Sequence, residues 1–166
     1  MIIPPQYGSW LAALGFDEVS FGYSGIKLFS SAELDKAQIG YSVGVDGQSL
    51  CDGSPGRRQP EWLVIGYDTE VGDPFIVDTS DETLRVMTAM HGQGTWDAHP
   101  IARSLDAFGE TLRVIREIAA GREYPVALEK NPLPDDERDK VLDKINDLNG
   151  GEVGMDFWKI LLGMEC

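Results

Sequence analysis

Residues 61–89 read EWLVIGYDTEVGDPFIVDTSDETLRVMTA, and this stretch decides the fold class. Three apolar, β-branched-rich runs, 61–67, 74–78 and 84–89, are separated by connections rich in Gly, Asp, Ser and Thr. Neither connection has room for the crossover helix that parallel neighbours require, so the runs predict an antiparallel meander. Upstream, Ile26-Lys27-Leu28-Phe29 reads as a short strand, and the run 39–45 ends at Asp46-Gly47, a strong turn pair that predicts one strand more. Residues 51–60, with five Gly or Pro or Ser positions around Arg57-Arg58, read as a flexible surface loop with a solvated basic pair.

Outside the meander the apolar period changes from two to between three and four. Tyr7, Trp10, Leu11 and Leu14 lie on one face of a helix entered at Pro5 and left at Gly15. Ser30 and Glu33 have the spacing of a capping box for a short helix over 31–38. Downstream, Leu105, Phe108, Leu112, Ile115 and Ile118 or Ala119 mark a longer helix that Ser104 can cap and Gly121 can end. Another opens at Pro134 with Asp135, Asp136 and Glu137 at its positive end, buries Val141, Leu142, Ile145 and Leu148, and stops at Gly150-Gly151. A last one, 157–162, can be capped by Asp156. Strands grouped first and helices later predict an α+β fold, a twisted antiparallel-rich sheet packed with helices.

With 166 residues the chain buries roughly 70% of the surface its unfolded form exposes, so its core needs no disulfide or metal. No run approaches the length that spans a bilayer and no basic-then-apolar leader opens the chain, which predicts a cytoplasmic protein without membrane contact. Cys51 and Cys166 form neither a metal pair nor a framework and are read as reduced thiols. The net charge is −14, and residues 61–100 hold one basic group against eight acidic ones. Such a field repels phosphate backbones and speeds encounter with a basic partner; its plainer use is solubility.

The chemical motifs point away from catalysis. Gly40-Tyr41-Ser42-Val43-Gly44 matches the G-x-S-x-G elbow, with Asp68, Asp73 or Asp78 and His91 following in hydrolase order, but Val45-Asp46-Gly47 continues into a turn instead of the required helix. His91 and His99 flank a Gly-rich loop with Asp97 and lack the density of a metal site. The acids of the meander loops fail the calcium-loop spacing, and no phosphate-binding Gly motif is present. The reading is therefore no catalytic residues, no metal and no cofactor. Asp73, between Gly72 and Pro74, is placed to fix its turn, while Asp81 and Glu82 stand at a loop tip in water. Trp96 is either tucked beneath its Gly-rich loop or free to anchor an interface.

Taken together, Trp62-Leu63-Val64-Ile65-Gly66-Tyr67-Asp68, Gly72-Asp73-Pro74-Phe75-Ile76-Val77-Asp78, Thr88-Ala89-Met90-His91-Gly92 with Trp96, Ser104-Leu105-Asp106-Ala107-Phe108 and Pro5-Gln6-Tyr7 with Trp10-Leu11 resemble the SUKH superfamily of Smi/Knr-type domains. The resemblance spans most of 4–120, which predicts a SUKH-like domain over 1–123 and a helical extension over 124–166 packed on it. The chain departs from the family in lacking the helix that usually precedes the Pro-x-Tyr segment and in carrying Leu14-Gly15 where the family has Asn-Gly. For bacterial members the resemblance implies an immunity protein that neutralises a polymorphic toxin, often a nuclease, by direct binding. For fungal members it implies a regulatory or scaffold protein acting on an endogenous partner. The expected contact residues are Asp68, Glu70, Asp73, Asp81, Glu82 and Trp96, facing a basic toxin domain; a small serine hydrolase is the remote alternative.

Overall fold

The computed structural model describes residues 3–163. Its sheet has six antiparallel strands in chain order and curls into a half-barrel: β1 (Glu18–Phe21), β2 (Ser24–Leu28), β3 (Trp62–Asp68), β4 (Pro74–Asp78), β5 (Val86–Thr88) and β6 (His99–Ala102). Helices α1 (Gln6–Leu14), α3 (Leu105–Ala119), α5 (Asp135–Leu148) and α6 (Asp156–Leu161) contribute to the main core, with short α2 (Leu34–Ala37) and α4 (Pro125–Lys130) between elements. The α+β class expected from the strand-then-helix order is the observed one.

The central strands are covered on both faces. Leu63, Ile65, Phe75, Val77 and Val86 point into the main core with Phe108, Leu112, Ile145 and Trp158. Val64, Ile76, Met87 and Ala89 form a second, smaller core on the opposite face, closed by Phe29, Tyr41, Trp62, Trp96 and Ala98. The apolar runs Leu63-Val64-Ile65 and Phe75-Ile76-Val77 lack the alternation of a half-exposed sheet for this reason.

Part of its cover, Tyr41, comes from the segment 39–60, and here the structure corrects two expectations. Residues 39–45 are not a strand: the amides of Tyr41, Ser42 and Val43 all donate to the Gln38 carbonyl, and only isolated bridges pair Val43 with Ile39 and Ser49. Residues 51–60 form a mostly exposed loop as expected, but its basic pair is not solvated: Arg57 is exposed while Arg58 is 1% exposed, and Trp96 N–H donates to Gly56 O at 2.9 Å. The segment is folded back by an unmet need in β3. Strand β2 pairs with β3 only over its last residues, so the edge of β3 near Trp62 and Val64 has no strand partner on that side. The Gln38 side chain supplies the missing ladder: its Nε2 donates to Val64 O at 2.8 Å and its Oε1 accepts from Val64 N at 2.9 Å. Arg58 Nη2 continues it by donating to Trp62 O at 2.7 Å.

Helix α1 is tied down by Tyr7, whose phenol donates to Phe29 O at 2.6 Å, and burial pushes its pKa well above the ordinary value. Ser104 caps α3 as expected, accepting from Ala107 N at 3.0 Å. The Ser30–Glu33 box is half formed: the Glu33 carboxylate accepts from Ser30 N–H and O–H, but no side chain caps α2. Asp156 is the first residue of α6 rather than its cap, and Met155 precedes it without a side-chain bond. The segment beyond residue 123 is built into the core: Asn149 Oδ1 accepts from Arg103 N at 3.0 Å, Trp158 Nε1 donates to Ile101 O at 2.9 Å, and Phe157 meets the Phe75 ring edge-on at 5.7 Å.

Candidate functional site

The expected contact residues do not share one face. Antiparallel order puts the β3–β4 turn at one end of the sheet and the β4–β5 connection at the other, separated by the five residues of β4, about 17 Å at about 3.4 Å each. Asp68, Glu70, Asp73 and the loop carrying His91 and Trp96 therefore stand at the first end, and Asp81 and Glu82 at the second.

Several of these side chains are engaged within the fold. Asp68, 9% exposed, accepts from the amides of Glu70 at 2.7 Å and Val71 at 3.3 Å, so it closes its own turn. Burial pushes its carboxyl up in pKa, against the pull of those two amides. Asp73 does not fix its own turn as expected; its Oδ1 accepts from His91 N at 2.9 Å and meets His91 Nδ1 at 2.7 Å, joining two loops. Asp81, rather than standing free in water, accepts from Thr83 N and Oγ1 at 2.9 and 2.7 Å, and these bonds lower its pKa. Trp96 is half-buried against Tyr41 and Arg58 in the second core. Glu70, which accepts from Ser24 Oγ, and Glu82 are the two exposed carboxylates of the set.

Glu82 borders a furrow of about 580 Å³ between α1, the 79–84 loop and the start of α3. One wall is the α1 row Gln6, Ser9, Trp10 and Ala13; the other is Glu82, Thr83 and Leu84; Ser104, Leu105 and Asp106 close it. Smaller hollows share its lining at both ends, toward Pro4, Pro5 and Asp81 and toward Glu110 and Arg113. Trp10 is held as a rigid panel. It stacks on Phe108 at 6.3 Å between centroids and meets the tilted Tyr7 ring at 5.6 Å, and a Cβ at Gly109 would come within 2.9 Å of its Nε1. The opposite wall is pinned by Leu105 N donating to Thr83 O at 3.2 Å, with the Thr83 hydroxyl that donates to Asp81 lying 3.1 Å from Arg103 O. Leu84, with φ of +54°, is the one non-glycine in the left-handed region among the described residues, and its side chain turns inward from the furrow to 5% exposure. Among the described residues the ion pairs here are Asp81–Arg85 and Glu110–Arg113; Glu82 and Asp106 belong to neither.

Trp10 and Asp106 were not among the expected contact residues. Their signal was present only as a helix face and a helix entry, and residues 10, 82 and 106 become neighbours solely through tertiary packing.

The other chemical leads resolve into structure. Ser42 sits in a turn with its Oγ buried and without a hydrogen-bond partner among the described residues. Among the described residues no three His, Cys, Asp or Glu side chains are grouped to hold a metal. Cys51 is a free thiol whose pKa burial raises, and Cys166 lies outside the described residues. Arg58 lies 5.7 and 5.5 Å from the Tyr41 and Trp96 ring centroids, and burial lowers its pKa to about 10; its Nε and Nη1 have no hydrogen-bond partner among the described residues. Among the described residues no helix is long and apolar enough to cross a membrane.

No family model, curated protein or solved structure matches this chain.

Proposed function

We propose that the chain is a non-enzymatic protein-binding domain of the SUKH type, an immunity protein that neutralises a basic toxin domain by direct docking in the cytoplasm. The observation that carries this reading is the furrow beside Trp10, where Glu82 and Asp106 stand outside the ion pairs formed among the described residues, in a chain of net charge −14. Exposed carboxylates of this kind accelerate encounter with a cationic surface and repel acidic competitors. An aromatic panel between them adds contact area at low entropic cost, because its neighbours already fix its orientation. A nuclease presents a cationic cleft, and occupying that cleft blocks it without any covalent chemistry.

The test is co-expression with the toxin encoded beside this gene. The expected outcome is survival of the cells and co-elution of a stable complex on gel filtration; continued killing, with both proteins folded and present, would refute the reading.

A further inference from the structure

We infer that the furrow is a receptor for an arginine side chain carried on an extended segment of the partner, with Trp10, Glu82 and Asp106 as the recognition set. This rests on the reading of the chain as a binder of a basic protein and narrows that reading to one place and one chemistry. The furrow holds about 580 Å³ and runs on at both ends into further hollows, so it admits a length of chain rather than a single small molecule. Its lining brings together the Trp10 indole on one wall, Glu82 on the facing wall and Asp106 on the side that closes it. A guanidinium satisfies both at once, since its plane stacks on an aromatic ring while its edge N–H groups donate to carboxylates. An ammonium is a compact, strongly hydrated point charge that matches the carboxylates but not the plane.

The walls are preorganised for this. Glu82 stands on a loop bonded to Leu105, Asp106 is in the first turn of a capped helix, and the indole packs against Phe108 and Tyr7. Two local costs meet here. Gly109 interrupts the interior of α3 where only a hydrogen leaves room for Trp10, and Leu84 takes a left-handed backbone to shape the facing wall. The chain makes the same kind of contact within itself, with the Arg116 guanidinium 4.4 Å from the centre of the Phe16 ring.

The experiment titrates blocked Gly-Arg-Gly-Arg-Gly, and separately blocked Gly-Lys-Gly-Lys-Gly, into the full chain while the indole N–H signals are followed by NMR. Expected are shifts at the Trp10 indole with the Trp96 indole unmoved, and arginine-peptide binding about threefold or more tighter than lysine-peptide binding. The isosteric pair Glu82→Gln and Asp106→Asn, which keeps the fold, weakens the arginine peptide by about fivefold or more. Equal affinity for the two peptides, shifts centred on Trp96, or an unaltered affinity in the double variant would each overturn the inference. Toxin neutralisation that survives the double variant overturns the furrow and leaves the proposed function standing. Arginine-peptide binding at Trp10 without neutralisation of any adjacent toxin does the reverse.

Discussion

Asp68 shows how one residue divides its work between a turn and the charge it carries. Burial outweighs its two amide bonds, so its folded pKa is raised above that of the unfolded chain. A raised carboxyl penalises the charged form: the penalty is full at neutral pH and lifts as pH falls through the folded pKa. Asp68→Asn keeps an acceptor for Glu70 and Val71 and removes the charge, so thermal melts should give a higher Tm than the parent at pH 7 and a converging Tm below pH 4. Asp68→Ala removes the acceptor as well and should cost about 1–2 kcal/mol at pH 7. Arg58 is the opposite case, a cation enclosed without a counter-charge. Arg58→Met, which keeps volume between Tyr41 and Trp96, should stay within about 1 kcal/mol of the parent, whereas Arg58→Ala should lose about 2–4 kcal/mol in urea unfolding. Single residues were legible in the sequence where the interaction is local. Ser104 at the entry of α3 announced its own cap, whereas the Gly-Asp-Pro turn suggested an aspartate fixing that turn and its partner is instead His91 in another loop. Nothing local marks Arg58, whose burial depends on Trp96 and Tyr41, far away along the chain.

At the scale of elements, the strands that matter most were the readable ones. Strands β3 and β4 and helices α1, α3 and α5 stand within a residue or two of the expected spans, because each is a long or unbroken apolar pattern. Strand β5 is shorter than the 84–89 run since Leu84 is left-handed. Strands β1 and β6 and helix α4 were not foreseen. Strand β1 has only four residues, and β6 contains Pro100, which argues against a strand except at an edge, where β6 lies. The second core was hinted at by the missing alternation in β3, but which segment covers it was not. Two element-level predictions follow from this packing. Gln38→Ala should destabilise by about 2–3 kcal/mol by orphaning both polar groups of Val64, measured by chemical unfolding. Gly109→Ala should lose about 1–3 kcal/mol despite its better helix propensity, and the Trp10 indole N–H resonance should move as the ring is displaced.

For the whole molecule, the uneven charge predicts kinetics. Association with a basic partner should slow about tenfold or more between about 50 and about 500 mM salt, while dissociation changes far less, as stopped-flow fluorescence would show. The candidate site itself was only partly legible. Glu82 was named, but Trp10 and Asp106 belong to elements whose meeting depends on how α1 crosses the entry of α3. The expected acidic face splits instead between the two ends of the sheet.

The in-order meander carries one further consequence, for synthesis. Every strand pairs with its sequence neighbour, so the sheet and the walls around Trp10 exist once residue 113 has emerged. The lid over Phe75, Phe108 and Ile101 arrives only with Phe157 and Trp158. A nascent chain thus owns its furrow before its interior is sealed, and leaves apolar core surface open until those two aromatic residues arrive.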